Sequence, residues 1–212
     1  IAADALTPAP TAGQSGSIWD KSEGQPTKGL RVNDMVIAPN GDVYASSRDA
    51  NSVLRFDGQS GAFKSVVVEL PSTPDGLAIG PDGNLYIACN SLVLRCNLDG
   101  KPLPGTGQMG NAFTHGGSFS AASGLTFGPD GNLYVASQSQ GQVLRYDGRS
   151  GAFLDIFVKS NLMAASQIAF GPDGNLYVGS VGGPAFDTAG GYVARFDGAT
   201  GEFLDKFAPD AK

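Results

Sequence analysis

Charge is scarce in this 212-residue chain: Asp, Glu, Lys and Arg make up 16% of it, 14 basic against 20 acidic, for a net charge of −6. No basic cluster exists to neutralise phosphates, which excludes nucleic acid as a partner. Apolar runs are short as well. The longest, residues 65–70 (SVVVEL), reads as a strand and falls far below the ~20 residues of a membrane span, so none is expected. A charged segment followed by an apolar one, the mark of a signal peptide, is missing. The sequence begins with Ile1 instead of Met, has few lysines and opens on a Thr/Pro/Ala-rich leader. These features fit a secreted, extracellular bacterial protein whose N-terminus has been processed. There is one histidine, His115. A Ser/His/Asp set, a metal-binding cluster and a phosphate-cradling loop before a helix are all absent, so neither metal nor cofactor is expected.

Cysteine is limited to Cys89 and Cys96. They form no CxxC motif and have no companion histidines, which argues against zinc. Each falls in one of two successive strands. A cross-strand disulfide is the favoured reading, and a pair of buried free thiols is the alternative.

What the chain has in abundance is turn chemistry, with 31 Gly and 13 Pro. One phrase is written four times: residues 35–45 (MVIAPNGDVYA), 77–87 (LAIGPDGNLYI), 125–135 (LTFGPDGNLYV) and 168–178 (IAFGPDGNLYV). Each is an apolar run, a Pro-(Asp/Asn)-Gly turn and a second apolar run, which is a β-hairpin. The period of about 40–50 residues, with several strands per unit, predicts an all-β propeller of four four-stranded blades. In each repeat a third strand carries VLRFDG, VLRCNLDG, VLRYDG or VARFDG, and a fourth begins after a Gly-rich turn at residue 61, 101, 151 or 201. The expected organisation is an extended N-terminal arm over 1–29 and a propeller domain over 30–212, with repeats at about 30–70, 71–110, 111–160 and 161–212.

Most repeated residues read as structural. Tyr44, Tyr86, Tyr134 and Tyr177 supply bulk between blades. Arg55, Arg95, Arg145 and Arg195 share one strand position and are expected to pair with a neighbouring blade's Asp or a carbonyl. Asp82, Asp130 and Asp173 are single carboxylates in separate turns, which is turn-forming and not a calcium loop. Specific function belongs where the copies diverge, in loops carried by the scaffold. The candidate binding residues there are Arg48, Asp49, Asp75, Asn90, His115, Gln138, Gln140 and Asp187.

LAIGPDGNLYI, VLRYDG and TGEFL resemble the NHL-type repeats of secreted bacterial propellers, the group that includes streptogramin lyase-like proteins. The resemblance runs from about residue 30 to 209 and implies the fold strongly and the activity weakly. Lyases of this kind use a histidine and a glutamate with magnesium, and related amidating lyases hold zinc with several histidines. Here His115 stands alone in THGGS, so that machinery is incomplete. Lactonase-type relatives hold an axial calcium, for which Asn33, Asp34, Asp75 and Asn90 offer oxygens. The other repeats place Gly, Ser or Gln at the Asp34 position.

The sequence therefore predicts a non-enzymatic propeller that binds an unidentified protein or glycan, or builds an assembly. The alternative is a lyase or hydrolase with its site in the variable loops. Self-association is expected through the N-terminal arm, with Ile18 and Trp19 as its anchor.

Overall fold

The structure is a computed structural model that describes residues 31–159, 162, 164–180 and 191–208. Ile18, Trp19 and Asp187 lie outside them. Every regular element among the described residues is a strand, and no helix is long and apolar enough to cross a membrane. The first sheet runs in the order β1 (Val32–Ile37), β2 (Val43–Ser47), β3 (Ser52–Phe56), β4 (Phe63–Glu69). The second holds β5 (Pro74–Ile79), β6 (Leu85–Cys89) and β7 (Leu92–Cys96). The third holds β8 (Ala122–Phe127), β9 (Leu133–Ser137), β10 (Gln142–Tyr146) and β11 (Phe153–Val158), and the fourth β12 (Ala165–Phe170), β13 (Leu176–Ser180), β14 (Tyr192–Phe196) and β15 (Phe203–Ala208). All pairings inside the sheets are antiparallel. The first strands pack in succession, β1 on β5, β5 on β8 and β8 on β12, so the architecture is propeller-like with these strands innermost.

The repeated turns are mated in pairs. In the first hairpin turn Gly41, Gly131 and Gly174 take φ of 82°, 76° and 77°, a region closed to most side chains. Their carbonyls press on the glycine of the later turn in the same sheet. A Cβ on Gly58, Gly148 or Gly198 would lie 1.8, 1.9 or 1.7 Å from them. The first glycine repeats because of its positive φ, and the second because the first one's carbonyl leaves no room for a Cβ.

Two expectations need correction here. The second sheet has three strands, not four. Pro102 and Pro104 offer no N–H to continue a ladder from residue 101, and only the single bridge between Cys96 and Pro102 forms there. The edge is completed from further along, where Arg95 N–H donates to Asn111 O and Phe113 N–H to Val93 O. Cys89 and Cys96 are free and buried, without the expected disulfide. Cys89 faces Leu92 and Cys96 faces Leu85, at opposite ends of the same ladder. Four residues of strand separate them by about 13 Å, beyond the reach of a sulfur–sulfur bond.

Packing between sheets follows one recipe. Tyr86 of β6 meets Phe113 and the incoming Phe127 of β8 edge-on, at 4.9 and 4.8 Å. Tyr134 of β9 meets Phe157 of β11 and the incoming Phe170 of β12 at 5.0 and 4.9 Å. The aromatic lost with the missing strand of the second sheet is thus restored by Phe113. Each hydroxyl finds its own acceptor: Tyr86 donates to Asp82, Tyr134 to Asp130, and Tyr44 to Leu98 O of the neighbouring sheet.

Candidate functional site

Four inner strands share one irregularity. Their ladders slip at Asn33-Asp34, Asp75-Gly76, Ser123-Gly124 and Ser166-Gln167. Such a bulge leaves two residues opposite one and re-aims their side chains. In the second and third sheets the space there is closed, since a Cβ on Gly76 or Gly124 would lie 2.2 or 2.5 Å from the next bulge's carbonyl, Ser123 O or Ser166 O. The first sheet differs by carrying a carboxylate at that position.

Asp34 reaches across to the second sheet. Its Oδ2 accepts Leu77 N–H at 2.8 Å, while Oδ1 accepts Met35 N–H at 2.8 Å. Burial holds its carboxyl above the ordinary value, against the pull of those two backbone donors. Asp75 lies alongside. Its Oδ1 takes Asn33 Nδ2 at 3.0 Å, Arg48 Nε at 3.0 Å and Arg48 Nη2. Ser46 Oγ donates to Asp75 O at 2.7 Å and accepts Asp34 N–H at 3.0 Å, tying the two bulges together. Asp75 is 14% exposed and Arg48 is 40% exposed, so the pair presents its guanidinium side to solvent. The result is a half-buried carboxylate joined through Ser46 to an Asp75–Arg48 ion pair.

Of the variable-loop candidates among the described residues, the structure brings together Arg48 and Asp75, and it joins to them Asn33 and Asp34, which the lactonase resemblance offered as oxygens. Asp49 forms a separate 3.9 Å ion pair with Arg31. Asn90 is a turn residue at φ 54°, with its carbonyl accepting Ala122 N–H. Gln138 N–H donates to Ala121 O, and Gln140 Oε1 accepts Ser137 Oγ. His115 sits at the outer strand of the third sheet, its N–H donating to Gly151 O and its carbonyl accepting Phe153 N–H. The repeated arginines pair chiefly inside their own sheets: Arg55 with Asp42, Arg145 with Asp155 and Arg195 with Asp205 at 2.6, 2.5 and 2.6 Å, Arg95 with Leu103 O and Pro104 O. Only Arg55 also reaches a neighbouring sheet, at Asp99.

Ser46 was passed over by sequence reasoning, and Asn33 and Asp34 entered it only through the lactonase resemblance, not as loop candidates. The signal was present in the sequence as the one acidic departure at a position otherwise Gly or Gln. A divalent cation does not fit this donor set. Among the described residues no three His, Cys, Asp or Glu side chains gather as metal ligands, both Asp34 oxygens hold backbone N–H groups, and Asp75 holds Arg48.

A propeller-like scaffold with a carboxylate pair on its inner bulges defines the class of protein. Solved structures share that scaffold. A gluconolactonase from Xanthomonas campestris superposes with a TM-score of 0.64 at 18% identity, over 85% of this chain and 63% of its own. A virginiamycin B lyase from Staphylococcus aureus gives 0.61 at 20% identity, over 86% and 56%. The hydrazine synthase of Kuenenia stuttgartiensis gives 0.63 at 17%, over 82% and 48%. The chain thus spans about half to just under two thirds of the structures it matches. No curated protein matches it. Residues 9–182 match the SMP-30/gluconolactonase/LRE-like region, and the chain belongs to that family. Membership in a family named for a gluconolactonase overturns the expectation of a non-enzymatic binding or structural protein, which rested on missing His and metal motifs.

Proposed function

We propose that this chain is a four-bladed propeller segment of a hydrolase that opens a cyclic ester. The observation that carries the reading is the family match over residues 9–182. The carboxylate pair at the first two bulges supports a location for the chemistry. Asp34, whose carboxyl burial raises above its ordinary value, is the proton acceptor. It takes a proton from water as the hydroxide oxygen bonds to the acyl carbon, and returns it to the ring oxygen as the acyl C–O bond breaks, giving a hydroxy acid. Arg48, fixed through Asp75, donates hydrogen bonds to the negative oxygen that forms on the carbonyl.

The test is proton release from five- and six-membered sugar lactones, followed by pH-stat at neutral pH. Asp34→Asn is expected to lower kcat about 10²–10⁴-fold with little change in KM. Wild-type rates should fall on the acid side as Asp34 is protonated, at a pH above that at which an ordinary aspartate titrates. No ring opening by the wild type, or full activity in Asp34→Asn, refutes the assignment.

A further inference from the structure

Each inner bulge sets two residues against a single residue of the next strand. The ladder registers identify that opposing residue. Ser46 faces Asn33-Asp34, Ala88 faces Asp75-Gly76, Ala136 faces Ser123-Gly124, and Gly179 faces Ser166-Gln167. Three of these four carry no polar side-chain atom. The one hydroxyl stands in the sheet whose bulge carries a carboxylate. Ser46 is 0% exposed, so water does not stand in for its bonds. Its Oγ accepts Asp34 N–H at 3.0 Å, and its single proton goes to Asp75 O at 2.7 Å, the nearer acceptor, with Asp34 O at 3.3 Å.

Two bonds therefore cross from the first sheet to the second at one point. Ser46 Oγ holds the carbonyl of Asp75, and Asp34 Oδ2 holds the N–H of Leu77 at 2.8 Å, one on either side of Gly76. Gly76 is confined from its far side too, where a Cβ would lie 2.2 Å from Ser123 O of the third sheet. Residues 75–77 are thus gripped between two sheets. The Asp75 side chain in turn holds Arg48. One buried hydroxyl meets the backbone of both carboxylates.

We propose that Ser46 is a positioning residue, whose hydroxyl clamps the first two bulges together and so fixes the Asp34 carboxylate on Leu77 N–H and relative to the Asp75–Arg48 pair. Its part in turnover rests on the ring-opening reading; its part in holding Asp34 does not. Removing the hydroxyl takes a partner from both Asp34 N–H and Asp75 O, and the two bulges separate to regain one from water. The carboxylate then loses its fixed aim, and a small misplacement of a reacting group costs up to about 10²-fold in rate.

The test compares the wild type with Ser46→Ala and with Ser137→Ala, which removes an equally buried hydroxyl from the third sheet. Ala or Gly fills the Ser46 position in the other three sheets, so Ser46→Ala folds. Ring opening of sugar lactones should show kcat about 10–10²-fold lower in Ser46→Ala, KM within about twofold, and no change in Ser137→Ala. Hydrogen exchange followed residue by residue by NMR should quicken about tenfold at the Leu77 amide of Ser46→Ala. It should stay unchanged at Leu125, which holds the same position in the third sheet. Equal quickening at both leucines would make Ser46 a general contributor to stability and overturn the proposal. Unchanged exchange at Leu77 overturns it as well, as does a KM that rises while kcat holds. If the wild type opens no lactone, or Asp34→Asn keeps full activity, the ring-opening reading falls by itself. Exchange at Leu77 then decides the clamp alone: selective quickening supports it, and its absence overturns it.

Discussion

Tyr134 and Tyr177 occupy the same position in successive sheets, so replacing each with Ala separates what the joint contributes from what the residue contributes. Tyr134 is 1% exposed, clamped between Phe157 and Phe170, and its hydroxyl donates to Asp130 Oδ2 at 3.0 Å. Burying such a side chain contributes about 1.5–3 kcal/mol. Each edge-on ring pair adds about 0.5–1.5 kcal/mol, and the hydrogen bond about 1 kcal/mol. These do not add fully, because neighbouring rings relax into the space. Tyr134→Ala should therefore cost ~3–5 kcal/mol, the usual range for removing a buried aromatic. Tyr177 keeps one ring partner, Phe207, which is itself over half exposed. Losing it should cost only about 1–2 kcal/mol, mostly one ring pair and partial burial. The assay is urea unfolding followed by Trp and Tyr fluorescence. Equal losses at the two sites, or less than ~1 kcal/mol at Tyr134, would refute the joint as described.

Thiol titration should find no reactive thiol in the native protein and two after unfolding without reductant, because both cysteines are buried and burial pushes the Cys96 thiol up to about 11; a single blocked pair under denaturant would restore the disulfide. In the later turns Asp147 and Asp197 are held below the ordinary carboxyl value, the first chiefly by the Ser150 hydroxyl and N–H, the second chiefly by Thr200 N–H. Their folded pKa lies below the unfolded one, so the stability they contribute is present above about pH 4 and is lost as pH falls through the folded pKa. The urea midpoint should accordingly drop on acidification, and Asp147→Asn should flatten that slope; an unchanged slope contradicts the assignment. His115→Ala should alter stability by no more than about ±0.5 kcal/mol and leave ring opening unchanged, since its hydrogen bonds to Gly151 and Phe153 are made by its backbone. Loss of activity in that variant would move the chemistry away from Asp34.

Local chemistry made the repeats legible. Pro-Asp-Gly must turn, Gly41 repeats in kind for its positive φ, and Gly58 repeats because the Gly41 carbonyl leaves no room for a Cβ. Alternation then sets Leu85, Ile87 and Tyr86 on opposite faces of one strand, all of them buried. Those facts depend on neighbours a few residues away, so the sequence alone determined an all-β, repeated, propeller-like chain. Three things needed the assembled molecule. Register, not sequence spacing, kept Cys89 from Cys96. The fourth strand of the second sheet was replaced by residues 111–113, a substitution that depends on where a long insertion returns in space. The site itself rests on Asp34 meeting Leu77 N–H, a contact 43 residues apart along the chain. A bulge is a slip between two strands and has no residue signature of its own. Nor could alternation say which apolar residues are covered, because burial at Tyr134 and exposure at Ile37 are decided by what packs against them and not by the residue.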